Sequence, residues 1–275
     1  MTRLGNRLKI GPPHHNALNR VGVLRHIQAT RETGEDRGPD VEVARLLSFY
    51  DRFRAMFHDL DELRGLPFYQ YLRFRTLHYD HVFDAFLNDG GRQIVFFGVG
   101  TDSRSLRFAA SLKANDITVF ETDLEPWISE RRSLMQKLGA QGHTRQFAFN
   151  MESDTIGDLI KQGGIDPTLK TLFIAEGVLT YISPAAVQAF LAGLSQVMSE
   201  DSQLALDMKR QGKREDGAFR LSMDADQQSS FFNEAGFIVR SNFLSKALHQ
   251  HLGFAEGGPA PLFDEDIVLV LAPKH

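Results

Sequence analysis

Gln93-Ile-Val-Phe-Phe-Gly-Val-Gly-Thr-Asp-Ser-Arg104 and, after a polar amphipathic run, Ile117-Thr-Val-Phe-Glu-Thr-Asp123 decide how this chain reads. An apolar strand breaks into Gly98-Val99-Gly100, a helix follows, and a second apolar strand delivers Glu121 and Asp123. That acid falls about 20 residues past the glycines, the offset of a ribose-binding carboxylate in a nucleoside site. Glycines at 98 and 100 permit a tight turn and let a ligand lie against bare backbone. A carboxylate at the tip of the next strand can accept two ribose hydroxyl hydrogens.

A dinucleotide fingerprint asks for a third glycine where this chain has Ser103, and for helix amides free to hold a pyrophosphate. Asp102 stands at that helix start, and its carboxylate repels phosphate. A nucleoside cofactor without phosphate, S-adenosylmethionine, therefore fits the residues better than NAD.

Working outward, the 275 residues are 42% hydrophobic and 24% charged, ordinary globular material for one domain with an added cap. A net charge of -4 gives no pull toward nucleic acid or an anionic membrane, so neither is expected as a partner. With no cysteine, disulfides, thiolate nucleophiles and cysteine zinc sites are excluded. No apolar run approaches ~18 residues and no secretory signal is evident, which reads as a soluble, cytoplasmic chain.

The first 31 residues carry Arg3, Arg7, Lys9, Arg20, Arg25 and Arg31 and no acid. They read either as a partly disordered basic arm or as a lid over the cofactor mouth that attracts an anionic substrate or a carboxylate. His14-His15 beside Pro12-Pro13 reads as loop. From Val41 to Leu87 the apolar residues recur at helical spacing, with Gly65 and Pro67 as punctuation, so residues 1–90 read as an N-terminal arm and helical cap. Arg75, on a helix leading into the first strand, can pair with a methionine carboxylate.

Residues 91–275 then alternate strand and helix, the pattern of a parallel sheet with crossover helices. Strands are predicted at Gln93 to Gly98, Ile117 to Thr122, Arg145 to Phe149, Thr171 to Ala175, Gln203 to Met208, Phe237 to Asn242 and Ile267 to Leu271. Helices are predicted at Ser103 to Ser111, Glu125 to Leu138, Thr155 to Gln162, Pro184 to Met198 and Asp226 to Ala235. Ser183-Pro184 supplies an N-cap and a first-turn proline, and Gly236 a helix stop. The polar segment between Lys209 and Asp226 reads as a mobile insertion of the kind that shapes substrate pockets. The fold class is α/β: a doubly wound, seven-stranded, mostly parallel sheet of the class I methyltransferase, Rossmann-like type. No clear crossover helix joins its last two strands.

Three of these stretches resemble the leucine carboxyl methyltransferase family, whose members are S-adenosylmethionine-dependent O-methyltransferases. Gln93 to Phe108 is similar to its Q-[IV]-V-x-L-G-A-G-x-D-x-R-x-x-R-L segment, Phe120-Glu-Thr-Asp123 to [YF]-E-V-D-x-P, and Ala175-Glu-Gly-Val-Leu-Thr-Tyr-Ile182 to A-E-G-V-L-x-Y-L. Pro126 falls one residue late, and Asn150-Met151 stands where the family usually has Asp-Leu at the adenine edge. The resemblance implies that Arg75 binds the cofactor carboxylate, that Gly98 and Gly100 lie beneath the methionine and ribose, and that Asp123 binds the ribose. Asn150 and Met151 then stand at the adenine, with the Asn150 carbonyl able to accept from its amino group. Glu121, two residues deeper on its strand, is placed out of reach. Glu176 begins the segment lining the methyl-transfer region, and Tyr181 lies in the loop before the next helix.

Methyl transfer from a sulfonium is an in-line displacement, so alignment and water exclusion are the protein's main tasks. A carboxylate acceptor is already ionised and needs no base; a hydroxyl needs one, and His78, three residues from Arg75, is a candidate. Glu176 and Tyr181 complete the candidate catalytic set. Asp207 sits at the same strand edge with its direction open. The expected activity is O-methylation of a carboxyl or hydroxyl on a small biosynthetic molecule. Protein or peptide C-terminal carboxyl methylation, a non-catalytic cofactor-binding module and an NAD reductase stand as alternatives. Acceptor identity and oligomeric state are not legible.

Overall fold

A period of two puts Ile94 and Phe96 on one face of the first strand and Val95 and Phe97 on the other, and all four are buried. Such a strand belongs in a sheet covered by helices on both sides. The computed structural model describes residues 13–140, 142–211, 218–222, 224–254 and 262–274, and it has that arrangement. The strands are β1 Gln93–Phe96, β2 Thr118–Asp123, β3 Thr144–Ala148, β4 Thr171–Ala175, β5 Gln203–Lys209, β6 Phe237–Leu244 and β7 Asp266–Pro273. Their order across the sheet is β3-β2-β1-β4-β5-β7-β6, with β7 antiparallel to both of its neighbours. All seven predicted strands are present. The first stops at Phe96, earlier than predicted, as the chain swings into a left-handed turn at Gly98, φ +59°.

Before the sheet come helices α1 Pro13–Arg31, α2 Phe49–Ala55, α3 Leu60–Arg64 and α4 Pro67–Asn88. Between the strands lie α5 Arg104–Arg107, α6 Ala109–Ala114, α7 Trp127–Lys137, α8 Ile156–Gly163, α9 Pro184–Ser195, α10 Ala225–Glu234 and the short α11 Leu248–His251. Caps fall where the residue types place them. Thr155 and Asp158 form a reciprocal capping box on α8, Ser183 caps α9 ahead of Pro184, and Gly236 turns at φ +83° after α10.

One sheet face packs Val95, Phe97, Phe173 and Leu204 against side chains of α8, α9 and α10. The other packs Ile94, Phe96, Val119 and Val270 against Tyr71, Tyr79, Phe83 and Phe86 of α4. A third cluster joins Val23, Leu24 and Ile27 of α1 to Leu47, Ala55, Leu63 and Leu72, fastening the N-terminal helices to the outer side of α4.

Two sequence expectations are corrected. His14-His15 is not loop but the first turn of α1, because a proline at a helix start presets the backbone rather than breaking it. The single helix expected from Ser103 to Ser111 is two, divided at Phe108, whose backbone leaves helical geometry and whose ring packs on Phe83. The basic arm before residue 13 and positions 212–217 and 223 of the polar insertion lie outside the described residues. Among the described residues no helix is long and apolar enough to cross a membrane.

β1 has β2 on one side and β4 on the other, so successive crossovers leave it in opposite directions. Ligands of doubly wound sheets bind in the crevice that opens at the carboxyl ends of strands at such a switch point. Below this crevice Glu121 of β2 is fully buried and paired with Arg131 of α7, at 2.7 Å between Oε2 and Nε. Arg131 also donates to the carbonyls of Gly100 (3.1 Å) and Asp102 (2.9 Å), so one guanidinium ties the sheet to the turn after β1. Removing it strands a buried carboxylate, a change that costs about 3–5 kcal/mol. Arg131→Met is therefore expected to lower the unfolding free energy by that amount in urea titrations followed by circular dichroism. The Glu121→Gln/Arg131→Met pair should recover most of the loss, because no unpaired charge remains.

Candidate active site

The turn after β1 is shaped by two left-handed glycines, Gly98 at φ +59° and Gly100 at φ +46°. A Cβ on Gly98 would stand 2.5 Å from a Val178 methyl, so no other residue fits beneath this crevice without displacing its neighbour. Val99 N–H donates to the Thr122 carbonyl at 2.9 Å, holding the turn beside the end of β2. There the Asp123 carboxylate accepts from the amides of Gly100 and Leu124, both at 2.8 Å. Burial pushes the Asp123 carboxyl up, while those two amides work against the shift. Glu121, on the same strand face but deeper, is taken up by its Arg131 pair.

At the start of α5, Asp102 accepts from the Arg104 backbone amide at 2.8 Å and pairs with the Arg104 guanidinium. The helix start thus carries its own carboxylate, and a pyrophosphate has no amide cradle there.

Across the crevice, Glu176 follows the end of β4 and is met by three guanidiniums. Its carboxylate accepts from Arg25 of α1, from Arg75 of α4 (Nε, 3.0 Å) and from Arg104 of α5 (Nη1, 2.8 Å). Burial alone would push this carboxyl up, but Arg25, Arg104 and Arg75 outweigh it and hold the group well below the usual carboxylate range. Arg75 also lies 3.5 Å from Asp207 of β5.

These elements enclose a cavity of about 430 Å³, within the usual size of a small-molecule site. Arg75, Gly98, Gly100, Asp123, Asn150, Met151, Glu176 and Tyr181 all line it. Trp127 and Phe149 add aromatic walls on the Asp123 side, and Val21 and Arg25 of α1 reach it from above the sheet. The Asn150 side-chain Oδ1 accepts from the Glu152 backbone amide at 3.0 Å, and the Asn150 backbone N–H donates to the Asp154 carboxylate at 2.8 Å. Tyr181, in a short 3-10 helix Leu179–Tyr181, is 59% exposed at the rim.

His78 is a correction. It does not line the cavity but packs among Tyr79, Phe243 and His251, because three residues fall about 60° short of a full helical turn and carry it toward β6 and α11. Burial and the neighbouring His251 and His81 push its pKa down to about 4, so it is neutral at pH 7. Arg25 and Arg104 are contributors that sequence reasoning did not assign. Arg104 sits within the glycine-turn motif itself, whereas Arg25 was visible only as one of several cations in an acid-free stretch.

A carboxylate fixed by backbone amides, a bare glycine turn, aromatic walls and a cation at the opposite end suit a ligand with ribose, an aromatic base and an anionic tail. The sequence profile of the leucine carboxyl methyltransferase family matches residues 41–195, more than half of the chain. A candidate S-adenosyl-L-methionine-dependent methyltransferase of Mycolicibacterium smegmatis is 24% identical over 228 residues, covering 76% of this chain and 74% of that protein. One from Mycolicibacterium vanbaalenii is 34% identical over 135 residues, covering 48% of this chain and 44% of that protein. Among solved structures, a candidate methyltransferase of Thermobifida fusca has a TM-score of 0.57 at 13% identity, covering 97% of this chain and 100% of that one. Magnesium protoporphyrin IX methyltransferase from Synechocystis, solved with bound SAH, has a TM-score of 0.50 at 15% identity, covering 82% of this chain and 94% of that one. At those identities the solved structures speak for the fold, and the family profile speaks for kinship: the chain belongs to the leucine carboxyl methyltransferase family.

Proposed function

We propose that this S-adenosylmethionine-dependent methyltransferase transfers its methyl group to a carboxylate oxygen of a small molecule. One observation carries the choice of acceptor. Among the described residues, the four carboxylates that line the cavity are already engaged: Asp102 by Arg104, Asp123 by two backbone amides, Glu152 by the Ser183 amide and hydroxyl, and Glu176 by three arginines. No histidine or lysine is among the described residues that line it. A hydroxyl acceptor needs a proton acceptor within reach, whereas a carboxylate arrives ionised. Glu176, ringed by guanidiniums, is suited to holding charge and poorly suited to taking a proton.

In this reading the cofactor supplies an electrophilic methyl on sulfur, and the residues of the chain position it. Asp123 accepts from the ribose hydroxyls, with Gly98 and Gly100 beneath the sugar and methionine, and Arg75 pairs with the methionine carboxylate. Asn150 and Met151 sit at the adenine edge beside Trp127 and Phe149. Residues 13–90 act as the cap: α1 closes the cavity with Val21, and its Arg25 makes the methyl-transfer end attractive to an anion. Tyr181 at the rim meets the acceptor. Alignment and exclusion of water then supply most of the acceleration.

Asp123→Ala is expected to weaken S-adenosylhomocysteine about 10- to 100-fold in calorimetric titration, the range for losing charge-assisted hydrogen bonds. Arg75→Ala should weaken S-adenosylhomocysteine at least about tenfold more than adenosine, which has no carboxylate; equal losses would remove the carboxylate contact. The acceptor reading is tested by screening small carboxylic acids, matched hydroxyl compounds and C-terminal peptides for methyl uptake. With a carboxylate acceptor, kcat should stay flat between pH 7 and 9, because the acceptor is ionised throughout and no base titrates. A rate climbing about tenfold per pH unit would instead mark a hydroxyl being deprotonated.

A further inference from the structure

Asp207 does not line the cavity, yet it touches much of what holds one end of it. The residue sits near the end of β5, 4% exposed. Its Oδ1 accepts from the Gly177 amide at 2.7 Å and from the Tyr79 hydroxyl at 3.1 Å, while Oδ2 lies 3.5 Å from Arg75 Nη1. Gly177 turns at φ +69°, and a Cβ there would be in van der Waals contact with the Arg75 guanidinium at 3.5 Å. Arg75 and Tyr79 are one helical turn apart on α4, and Gly177 directly follows Glu176. One carboxylate behind the cavity wall therefore joins the helix that bears Arg75 to the turn that bears Glu176.

The guanidinium is a planar fork with five donors. Glu176 takes its Nε and Asp207 stands by Nη1, so two anions from two strands fix the plane of the fork and the direction of the remaining donors. We propose that Asp207 is the positioning residue that seats Arg75 for the cofactor carboxylate, acting through its contacts to the guanidinium and to the Gly177 turn. The proposal rests on the reading of Arg75 given above.

Among the described residues, the charged and titratable groups around Asp207 are Arg75, Tyr71 and Tyr79 of α4, Glu176 after β4, and Asp266 of β7. Asp266 in turn pairs with Lys209 at 2.5 Å, leaving Arg75 as the cation that Asp207 faces most directly. An anion set at 3.5 Å from one guanidinium nitrogen controls where that guanidinium points more than it adds to the net charge.

The test measures S-adenosylhomocysteine and adenosine affinities by calorimetry for the unmodified chain, Asp207→Asn, Arg75→Ala and the double variant. Asparagine keeps an acceptor for Gly177 but cannot pair ionically with Arg75. Asp207→Asn should weaken S-adenosylhomocysteine about five- to tenfold while leaving adenosine within about twofold, a scale set by one charge-assisted contact. In the Arg75→Ala background it should cost nothing more, since there is no guanidinium left to seat. Unchanged or tighter S-adenosylhomocysteine binding, equal loss for both ligands, or an additive loss in the double variant overturns the assignment of Asp207. If Arg75→Ala itself fails to separate the two ligands, the reading of Arg75 falls and takes this one with it. Selective loss in Arg75→Ala alone, with none in Asp207→Asn, removes only the present proposal. Should Asp207→Asn not fold, Tyr79→Phe removes one donor to the same carboxylate. A selective loss of about two- to threefold for S-adenosylhomocysteine is then expected, and its absence overturns the proposal.

Discussion

A carboxylate taken largely out of water must be met by cations or it will not stay ionised, and Glu176, whose side chain is 6% exposed, is met by three. Each guanidinium comes from a different part of the chain: Arg25 from the first helix, Arg75 from the helix before the sheet, and Arg104 from the helix after the glycine turn. The Coulombic gain in a low-dielectric interior is large only at contact distance, so the three helices are held against the carboxyl end of β4. The crevice at the switch point owes its walls to that requirement. The same requirement limits the chemistry, because a carboxylate so strongly held is a fixed counter-charge, not a proton carrier.

Asp102 and Asp80 extend this web through Arg104 and Arg107, and Asp40 completes it beneath Arg25. Most of these groups are less than a tenth exposed, and burying so many charges is not in itself stabilising. What the web provides is direction. Planar guanidiniums with several anionic neighbours have few orientations in which each donor is satisfied, and a site that must align three reacting atoms benefits from such rigidity. Glu121 and Asp123 show how depth sorts two like groups. They share a strand face two residues apart, yet one is sealed in an ion pair with Arg131 and the other ends the strand at the cavity wall.

The alternation of strands and helices, the cap at Ser183 and the stop at Gly236 were legible because each depends on residues within one turn or one strand of each other. The glycine turn and the acid after β2 were legible for a related reason. A doubly wound sheet places the ends of consecutive parallel strands side by side, so spacing along the chain becomes proximity in space. His78 was misplaced because a spacing of three on a helix does not say which neighbour the side chain meets. The split at Phe108 was missed because a ring drawn toward Phe83 leaves no mark in local periodicity.

By itself, then, the sequence determined the sheet, its switch point and most of the residues that line the cavity there, since short-range periodicity and backbone freedom control all of these. The tertiary structure alone decided that Arg25 enters the cavity from α1, that Glu176 gathers three cations, and that Asp207 stands behind Arg75. Those contacts join residues 72 to 151 positions apart. Long-range charge pairing leaves no local pattern along the chain; it exists only once packing has excluded water and forced each buried ion to find its partner.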